Sequence, residues 1–210
     1  MDKTAHTIAS EQSWTAERLK DRFAAAGLTP TETAFPRHES PQHPPELIPA
    51  AVLVPLIPRQ AETTLLLIRR AEGLDIHAGQ FGFPGGHHED EDENAETTAL
   101  RETHEELGLG GGEIELLGRL GDVATRTGFL LTPVVALLHP PFELTPDERE
   151  VAETFELPLE VVLDPSLHER RPHDLNDSSG LIHAITHDGR FIWGATAAML
   201  IALYERLRQK

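Results

Sequence analysis

The sequence predicts a mixed α/β protein in which helices pack on sheets. Short runs rich in Val, Ile and Leu alternate with stretches that have the apolar periodicity of amphipathic helices. An Asp-Gly pair, Asp188–Gly189, lies between two further apolar segments and is typical of a β-hairpin turn. Strands that flank two principal helices, without an internal repeat, indicate sheets covered by helices.

The first part of the chain predicts a helix, an irregular segment and two strands. In SWTAERLKDRFAAAGL, Ser13 can cap the helix, Leu19 and Phe23 share one face, and Gly27 can end it. The proline-rich residues that follow lack hydrophobic periodicity and indicate an irregular arm. The runs AAVLVPLIP and TTLLLIRR then predict two buried strands, joined by a turn near residues 59–62.

A glycine-punctuated loop leads from these strands to the second helix. Asp92 or Asn94 can cap the start of this helix, and Gly108 follows Leu107 where a C-terminal glycine is expected. EIELLGRLGDV and LLTPVVALLHP predict further strands, and an extended segment then ends near Pro158. ATAAMLIALYERLRQ predicts a closing helix, with core contacts expected from Met199, Leu200, Leu203 and Leu207.

Composition excludes several functional classes. The chain has 210 residues and a formal net charge of -17, from 35 acidic and 18 basic residues. This excess of negative charge argues against nonspecific binding to nucleic acid or to an anionic membrane. The absence of cysteine excludes disulfides, thiolate metal sites and a cysteine nucleophile. Because neither a signal peptide nor an apolar run of about 18 residues is recognisable, a cytoplasmic protein is expected.

The second helix carries the residues that point to chemistry. In RETHEELGL, the side chains of Glu102, Glu105 and Glu106 are three and four residues apart and therefore share one helix face. Taken alone, such a pattern is more typical of a solvated surface. Here a Gly-Gly pair precedes the helix, Arg101 opens the acidic cluster and Gly108 closes it. This combination favours a site for hard divalent cations, which prefer oxygen ligands.

These residues resemble the signature of the Nudix hydrolases. The matching positions are Gly86, Arg101, Glu102, Glu105, Glu106, Gly108 and Leu109. Two features depart from the common form: Thr103 occupies a position that is usually aliphatic, and the interval from Gly86 to Arg101 is one residue longer. Asp92 and Glu93 are therefore both candidates for the upstream acid of the signature.

The longer interval is similar to that of one Nudix branch, the coenzyme A diphosphatases. HAGQFGFPGG, TGFLLTPVVAL, EVAETFELPL and FIWGATAAML also resemble that branch, so the resemblance extends over about residues 47–203. One position differs, because Asp75 stands where the branch usually has an arginine in a segment associated with coenzyme A recognition. A carboxylate at this position has the wrong sign of charge for an anionic ligand.

The resemblance implies a Nudix-type α/β/α sandwich with a mixed β-sheet and a catalytic loop-helix-loop at residues 46–210, after an N-terminal helix and arm at residues 1–45. It also implies hydrolysis of a pyrophosphate bond with Mg²⁺ or Mn²⁺. The expected substrate is coenzyme A or a derivative. The alternatives are ADP-ribose, dinucleoside polyphosphates or nucleoside triphosphates, and a Nudix-fold binding module without catalysis. A homodimer is expected, and neither nucleic acid nor membrane is an expected partner.

The resemblance also implies roles for single residues. The expected metal ligands are Glu102, Glu105, Glu106 and the carbonyl group of Gly86. Arg101 is expected to orient Glu105. The general base is open among Glu102, Glu105 and Glu150, and the competing interpretation of Glu150 is an exposed loop acid. The positions of four further residues, independently of the resemblance, predict substrate binding. The strand-end pair Arg69 and Arg70 is expected to offset the acidic field, Gly128 is expected to form a turn against the substrate, and His77 is expected either to contact the substrate or to order its loop.

Overall fold

The computed structural model describes residues 13–24, 47–74, 76–125, 127–175 and 178–209. Gly27, most of the proline-rich arm and Asp75 lie outside these residues. In the described part of the chain, no helix is long and apolar enough to cross a membrane.

The described residues form helices and two sheets. The helices are α1 (Ala16–Ala24), α2 (Ala95–Leu107), α3 (Leu159–Leu163) and α4 (Gly194–Arg208), and a short 3₁₀-helix spans Pro165–Leu167. The larger sheet contains β1 (Ile48–Pro58), β2 (Thr63–Arg70), β3 (Phe81–Gly82), β4 (Gly85–His87), β5 (Ile114–Arg119), β6 (Val123–Ala124), β7 (Phe129–Leu138) and β8 (Val151–Pro158). The smaller sheet contains β9 (Glu169–Leu175), β10 (Ser178–His187) and β11 (Arg190–Trp193).

The larger sheet is mixed. Its central order is β3-β2-β1-β7-β5, with β4 beside β1, β6 beside β7 and β8 beside β2. Strands β1 and β7 run parallel, whereas the other pairings of this sheet are antiparallel. The smaller sheet has the order β11-β10-β9 and is antiparallel.

Alternating side chains of the central strands build hydrophobic layers on both faces of the larger sheet. Val52 and Val54 of β1 belong to the main core, which also contains residues of α1, α3 and α4. Ala51 and Leu53 point to the other face and pack with Ala99 of α2. Because successive strand residues face opposite sides, α2 covers one face and the remaining helices cover the other. The predicted α/β/α sandwich with a mixed sheet is confirmed.

The starts of α1 and α2 are capped by side chains. Thr15, rather than the predicted Ser13, caps α1, since its hydroxyl accepts a hydrogen bond from the Arg18 amide at 3.3 Å. Helix α1 begins at Ala16, so Thr15 is the residue directly before it, where a capping oxygen reaches the first free amides. Of the two candidates for α2, Asn94 is the cap and accepts a hydrogen bond from the backbone amide three residues later at 3.0 Å.

Helix α2 ends at the predicted glycine. Gly108 has a φ of 72°, and its amide donates to the His104 carbonyl at 2.8 Å. A Cβ atom at this position would lie 1.8 Å from Thr145 Oγ1, while the Thr145 amide donates to the Leu107 carbonyl at 2.9 Å. Glycine therefore allows both the left-handed turn and the close approach of the following chain.

Strands β3, β4 and β9 are not expected from the sequence. Strands β3 and β4 are short pieces inside the predicted glycine-punctuated loop. Strand β9, ERRPHDL, has no apolar alternation and is ordered by its antiparallel pairing with β10 from Glu169–Ala184 to Leu175–Ser178. The predicted hairpin turn is confirmed, because Asp188 and Gly189 have φ values of 48° and 74° between paired His187 and Arg190.

Helix α1 contributes to the main core. Leu19 is 0% exposed and Phe23 is 4% exposed, and both belong to the same cluster as Leu203 of α4. Arg206 of α4 lies over the Phe23 ring at 5.1 Å and donates to the Phe23 carbonyl at 3.2 Å. The division into an arm and a domain stays a prediction, but α1 packs as an integral layer of the fold.

Replacement of Leu19 by alanine should lower the free energy of unfolding by about 2–5 kcal/mol, because it leaves a cavity in the core. Urea unfolding measures this change. Asp21→Ala, at an exposed position of the same helix, should change stability by less than about 0.5 kcal/mol. A Leu19→Ala protein as stable as the wild type would indicate that residues 1–45 are an independent arm.

Candidate active site

The acidic face of α2 lies directly against strand β4. The amide of Gly85 donates to Glu106 Oε2 at 3.0 Å. Gly86 lies against the carboxyl group of Glu102, and a Cβ atom at residue 86 would be 2.5 Å from Glu102 Cδ. A Cβ atom at Gly85, which has a φ of 150°, would be 2.3 Å from the Ala51 carbonyl oxygen. Gly86 thus lets the Glu102 carboxyl group approach the backbone without an intervening side chain, and Gly85 lets β4 lie close to β1.

Glu106 is almost completely buried, with 2% of its surface exposed. Arg70 Nη1 lies 3.8 Å from Glu106 Oε1. Burial raises the pKa of Glu106 to about 8, against the effects of the Gly85 hydrogen bond and the Arg70 charge, and repulsion by Glu102 and Glu150 raises it further. A cation near this carboxyl group would favour its ionised form.

Arg101 holds the other two carboxylates of the helix face. Its Nη1 atom donates to Glu102 Oε1 at 3.0 Å and to Glu105 Oε2 at 3.3 Å, and its Nη2 atom donates to the His87 carbonyl at 2.8 Å. Burial raises the pKa of Glu102, against the opposing effect of Arg101, whereas the Glu105 side chain is 57% exposed. Arg101 is predicted to orient Glu105, and that role requires the contact between the two side chains. The role itself stays a prediction.

Asp92 fixes Arg101 from the other side. Arg101 Nε and Nη2 donate to Asp92 Oδ1 and Oδ2 at 3.2 and 3.0 Å. Asp92 Oδ2 also accepts hydrogen bonds from the Thr98 hydroxyl and the Glu89 amide, each at 3.0 Å. The Arg101 bonds above all hold the pKa of Asp92 well below its usual range, and Asp92 raises the pKa of Arg101. Of the two candidates for the upstream acid, Asp92 is the one in contact with Arg101, whereas Glu93 is exposed.

The segment before β8 closes over the C-terminal part of α2. The amide of Asp147 donates to the Glu106 carbonyl at 3.0 Å, and the carbonyl of Glu150 accepts a hydrogen bond from the Ala71 amide at 2.8 Å. Glu150 is exposed, as the competing interpretation expects, yet its charge raises the pKa of both Glu102 and Glu106. This loop acid therefore lies close to the carboxylates of α2.

The strand-end arginines point in different directions. Arg70 contacts Glu106 on the α2 side, and its buried Nε atom makes no hydrogen bond to the described residues. Arg69 instead pairs with Glu153, at 3.3 Å, and with Glu72, at 2.9 Å. Alternation along β2 separates the two guanidinium groups. Of this predicted pair, the structure thus brings Arg70 to the carboxylates and holds Arg69 elsewhere.

His77 and Gly128 lie in two adjoining turns. His77 has a φ of 61°, and its ring nitrogens lie 3.0 Å from Gln80 Oε1 and 3.3 Å from Thr127 Oγ1. Gly128 has a φ of 94°, and its carbonyl accepts a hydrogen bond from the Ile48 amide at 2.9 Å. Substrate contact stays a prediction for both residues. The backbone of Gly128 also joins the starts of β1 and β7, which the sequence does not reveal.

The carboxylate oxygens of the helix face are ligands that suit a hard divalent cation, although the side chains do not converge on one point. Among the residues that the structure describes, no three His, Asp or Glu groups have a metal-coordinating arrangement. Arg101 holds Glu102 and Glu105, while Gly85 holds Glu106. Buried, mutually repelling carboxylates are groups that Mg²⁺ or Mn²⁺ neutralises. The full predicted ligand set, which stays a prediction, is Glu102, Glu105, Glu106 and the Gly86 carbonyl.

One family profile and several bacterial proteins are similar to this chain. The profile described as "NUDIX domain" matches residues 47–175. Two proteins described as "Uncharacterized Nudix hydrolase NudL" come from Yersinia pestis (strain Pestoides F) and Yersinia pseudotuberculosis serotype O:1b (strain IP 31758). Each is 38% identical over 162 residues, which cover 75% of this chain and 79% of the relative.

Solved structures share the fold. A Nudix hydrolase from M. smegmatis, RenU, has a TM-score of 0.52 and 24% identity, with coverage of 78% of this chain and 84% of that chain. The MutT protein from Methanosarcina mazei Go1 has a TM-score of 0.51 and 17% identity, with coverage of 79% and 97%. At these identities the likeness concerns the fold alone.

Replacement of Asp92 by asparagine should lower the free energy of unfolding at pH 7 by about 2–3 kcal/mol, because it leaves the Arg101 guanidinium without its buried ionic partner. The pKa of Asp92 is lowered in the folded state. Its stabilising effect is therefore present above the pKa of the unfolded chain and is lost as the pH falls through the folded value. The difference between wild type and variant should shrink as the pH falls toward about 3.

Urea unfolding at several pH values measures this difference. Glu93→Gln is the matched control and should change stability by less than about 0.5 kcal/mol. Equal destabilisation by both changes would contradict the assignment of Asp92 as the partner of Arg101.

Proposed function

This chain belongs to the Nudix hydrolase family, and from that premise we propose that it hydrolyses the pyrophosphate bond of coenzyme A or a coenzyme A derivative with Mg²⁺ or Mn²⁺. Family membership makes the protein a hydrolase that acts on pyrophosphate bonds. The carboxylate face of α2, held against Gly85 and Gly86 with Glu106 buried at its centre, supports this activity most directly.

The residues of the site have separate tasks in this proposal. Glu102, Glu105, Glu106 and the Gly86 carbonyl hold the metal. When bound, the metal supplies charge neutralisation for the phosphates and lowers the pKa of attacking water. Arg101, itself held by Asp92, directs Glu102 and Glu105 toward the site. The Gly85 amide keeps Glu106 in place through a backbone hydrogen bond, which costs no side-chain ordering.

Glu150 is the proposed general base. It is exposed and lies in the segment that bonds to α2: its amide donates to the Asp147 carbonyl, and the Asp147 amide donates to the Glu106 carbonyl. Its charge also raises the pKa of Glu102 and Glu106. The two other candidates, Glu102 and Glu105, are engaged by Arg101. Among the described residues Glu150 has no comparable arginine contact, which leaves its carboxylate available to accept a proton from water.

Coenzyme A is the proposed substrate because the sequence likeness to the coenzyme A diphosphatase branch extends beyond the signature. Arg70, which contacts Glu106 and is 29% exposed, offers a cation to an anionic substrate. Asp75 favours a second candidate, the same hydrolysis of ADP-ribose, a dinucleoside polyphosphate or a nucleoside triphosphate, because a carboxylate there weakens recognition of coenzyme A.

Incubation with Mg²⁺ or Mn²⁺ and a panel of these compounds distinguishes the two candidates. Coenzyme A should be cut to 3′,5′-ADP and 4′-phosphopantetheine, both identified by chromatography. Intact coenzyme A together with cleavage of another compound would favour the second candidate. Absence of any cleavage with either metal would contradict the proposed activity as a whole.

Glu106→Gln should lower turnover by about 100-fold or more, because an amide cannot supply the negative oxygen that a divalent cation requires. The fold should persist, since the neutral side chain still accepts the Gly85 hydrogen bond in a buried site. Steady-state kinetics and thermal unfolding measure the two effects. Glu160→Gln, an exposed change on α3, should leave turnover at the wild-type level. Near-normal turnover of the Glu106→Gln enzyme would remove Glu106 from the proposed metal site.

A further inference from the structure

The loop at residues 71–80, described except for residue 75, begins and ends next to Arg70, the arginine that contacts Glu106. It leaves β2 at Arg70, whose Nη1 atom lies 3.8 Å from Glu106 Oε1. The chain then returns through β3 to Gly85, whose amide donates to Glu106 Oε2 at 3.0 Å. The Arg70 amide donates to the Gln80 carbonyl at 2.9 Å, which joins the two ends of the loop. Both ends of the loop are therefore tied to the backbone of the arginine that contacts the buried carboxyl group.

A series of ion pairs, the ion-pair relay, connects this loop to the smaller sheet. Arg190 of β11 donates to Glu153 Oε1 at 2.6 Å, and Glu153 Oε2 accepts a hydrogen bond from Arg69 Nε at 3.3 Å. Arg69 Nη1 in turn donates to Glu72 Oε1 at 2.9 Å. Glu72 packs over Gly79, where a Cβ atom would lie 2.9 Å from its carboxylate oxygen. The relay thus reaches the HAGQ part of the loop, and the glycine provides the space for its last member.

Glu153 is the centre of the relay. It is the shared partner of Arg69 and Arg190, and its loss leaves two like charges next to each other. The pairing of β8 with β2 shifts register at this point, because Arg69 pairs with Glu153 and Arg70 pairs with Val151. Glu153 and Arg69 therefore form the last regular pair before the shift in register, which changes the direction of the neighbouring side chains.

The relay and the α2 carboxylates lie on different faces of the larger sheet. Arg69 and Arg190 meet Glu153 on the side of the smaller sheet, whereas Arg70 meets Glu106 on the side of α2. The relay thus makes no direct contact with the carboxylates that hold the metal in the proposed function. A change in the relay can move the loop and leave those carboxylates in place. We therefore expect a change in the relay to affect substrate binding without affecting the chemical step.

We propose that Glu153 is a positioning residue for substrate binding, which acts through Arg69 and Glu72 on the loop at residues 71–80. The loop carries His77, the predicted substrate contact, and the relay reaches the loop two residues later, where Glu72 packs over Gly79. The relay fixes the loop conformation that His77 requires for binding. The kinetic consequence rests on the proposed pyrophosphate hydrolysis, whereas the effect on loop order does not.

Glu153→Ala should raise KM for the cleaved substrate about tenfold and leave kcat within about twofold of the wild-type value, as for an interaction made equally in the ground and transition states. Glu156→Ala is the matched control. Glu156 lies on the same strand and accepts a hydrogen bond from Arg59 Nε at 2.8 Å, so this change also breaks an Arg–Glu pair. It should leave KM at the wild-type value, because Arg59 does not reach the loop.

A double-mutant cycle tests the route of the effect. Arg69→Ala should raise KM by a similar factor, and the double variant Glu153→Ala/Arg69→Ala should be no worse than either single variant, because both remove the same connection. Fully additive changes in log KM would show that Glu153 does not act through Arg69.

Amide hydrogen exchange tests loop order without any substrate. Exchange within residues 71–80 should accelerate in Glu153→Ala and stay at the wild-type rate in Glu156→Ala, while α2 keeps its protection in both. Unchanged loop exchange in Glu153→Ala would overturn the proposal, as would faster exchange without a change in KM or an equal KM change in Glu156→Ala. If the wild type cleaved no pyrophosphate compound, the proposed function would fail, and the exchange data would still decide whether the relay orders the loop.

Discussion

The close approach of helix α2 to strand β4 is the constraint on which the rest of the site depends. Glu106 accepts a hydrogen bond from the Gly85 amide, and Glu102 packs against Gly86, where no side chain separates helix from strand. The helix is fixed at both ends in this position. Asp92 bonds to Thr98 in the first turn of the helix and to Arg101 in its middle, and the left-handed Gly108 lets the following chain close over its end. Each anchor uses a different interaction, so the helix has little freedom to rotate its acidic face away from the strand.

Positive charges flank the acidic face of α2. The whole chain has a formal net charge of -17, yet arginines stand on both flanks of the acidic cluster. Arg101 contacts the more exposed carboxylates, and Arg70 approaches the buried one. Burial and mutual repulsion make ionisation of Glu106 unfavourable without a nearby cation. A divalent cation relieves this repulsion, so the acidic face and its metal requirement in the proposed function have the same physical origin.

Sequence reasoning predicts the parts of the fold that depend on local patterns. The strands β1, β2 and β7 are apolar runs, α2 has a cap at Asn94 and a glycine at its end, and its carboxylates fall on one face by helical spacing. The remaining features depend on contacts between distant segments. The divergence of Arg69 and Arg70 follows from partners on β8 and α2, and strand β9 exists because β10 pairs with it. The choice between Asp92 and Glu93 needed the direction of the Arg101 side chain, which spacing alone does not specify.

The parallel pairing of β1 with β7 has a consequence for how the protein folds. Ile48 lies opposite Phe129 and Leu56 opposite Leu137, so β2, β3, β4, α2 and β5 all lie within one long connection between adjacent strands. Closure of such a connection costs chain entropy before its contacts form, which slows folding of topologies rich in distant pairings. Glu106 of α2 becomes buried only when the helix packs against the sheet that this pairing completes. A nascent chain that has not yet emerged as far as β7 can form a helix with three acids on one face, but it lacks the completed sheet against which Glu106 is buried.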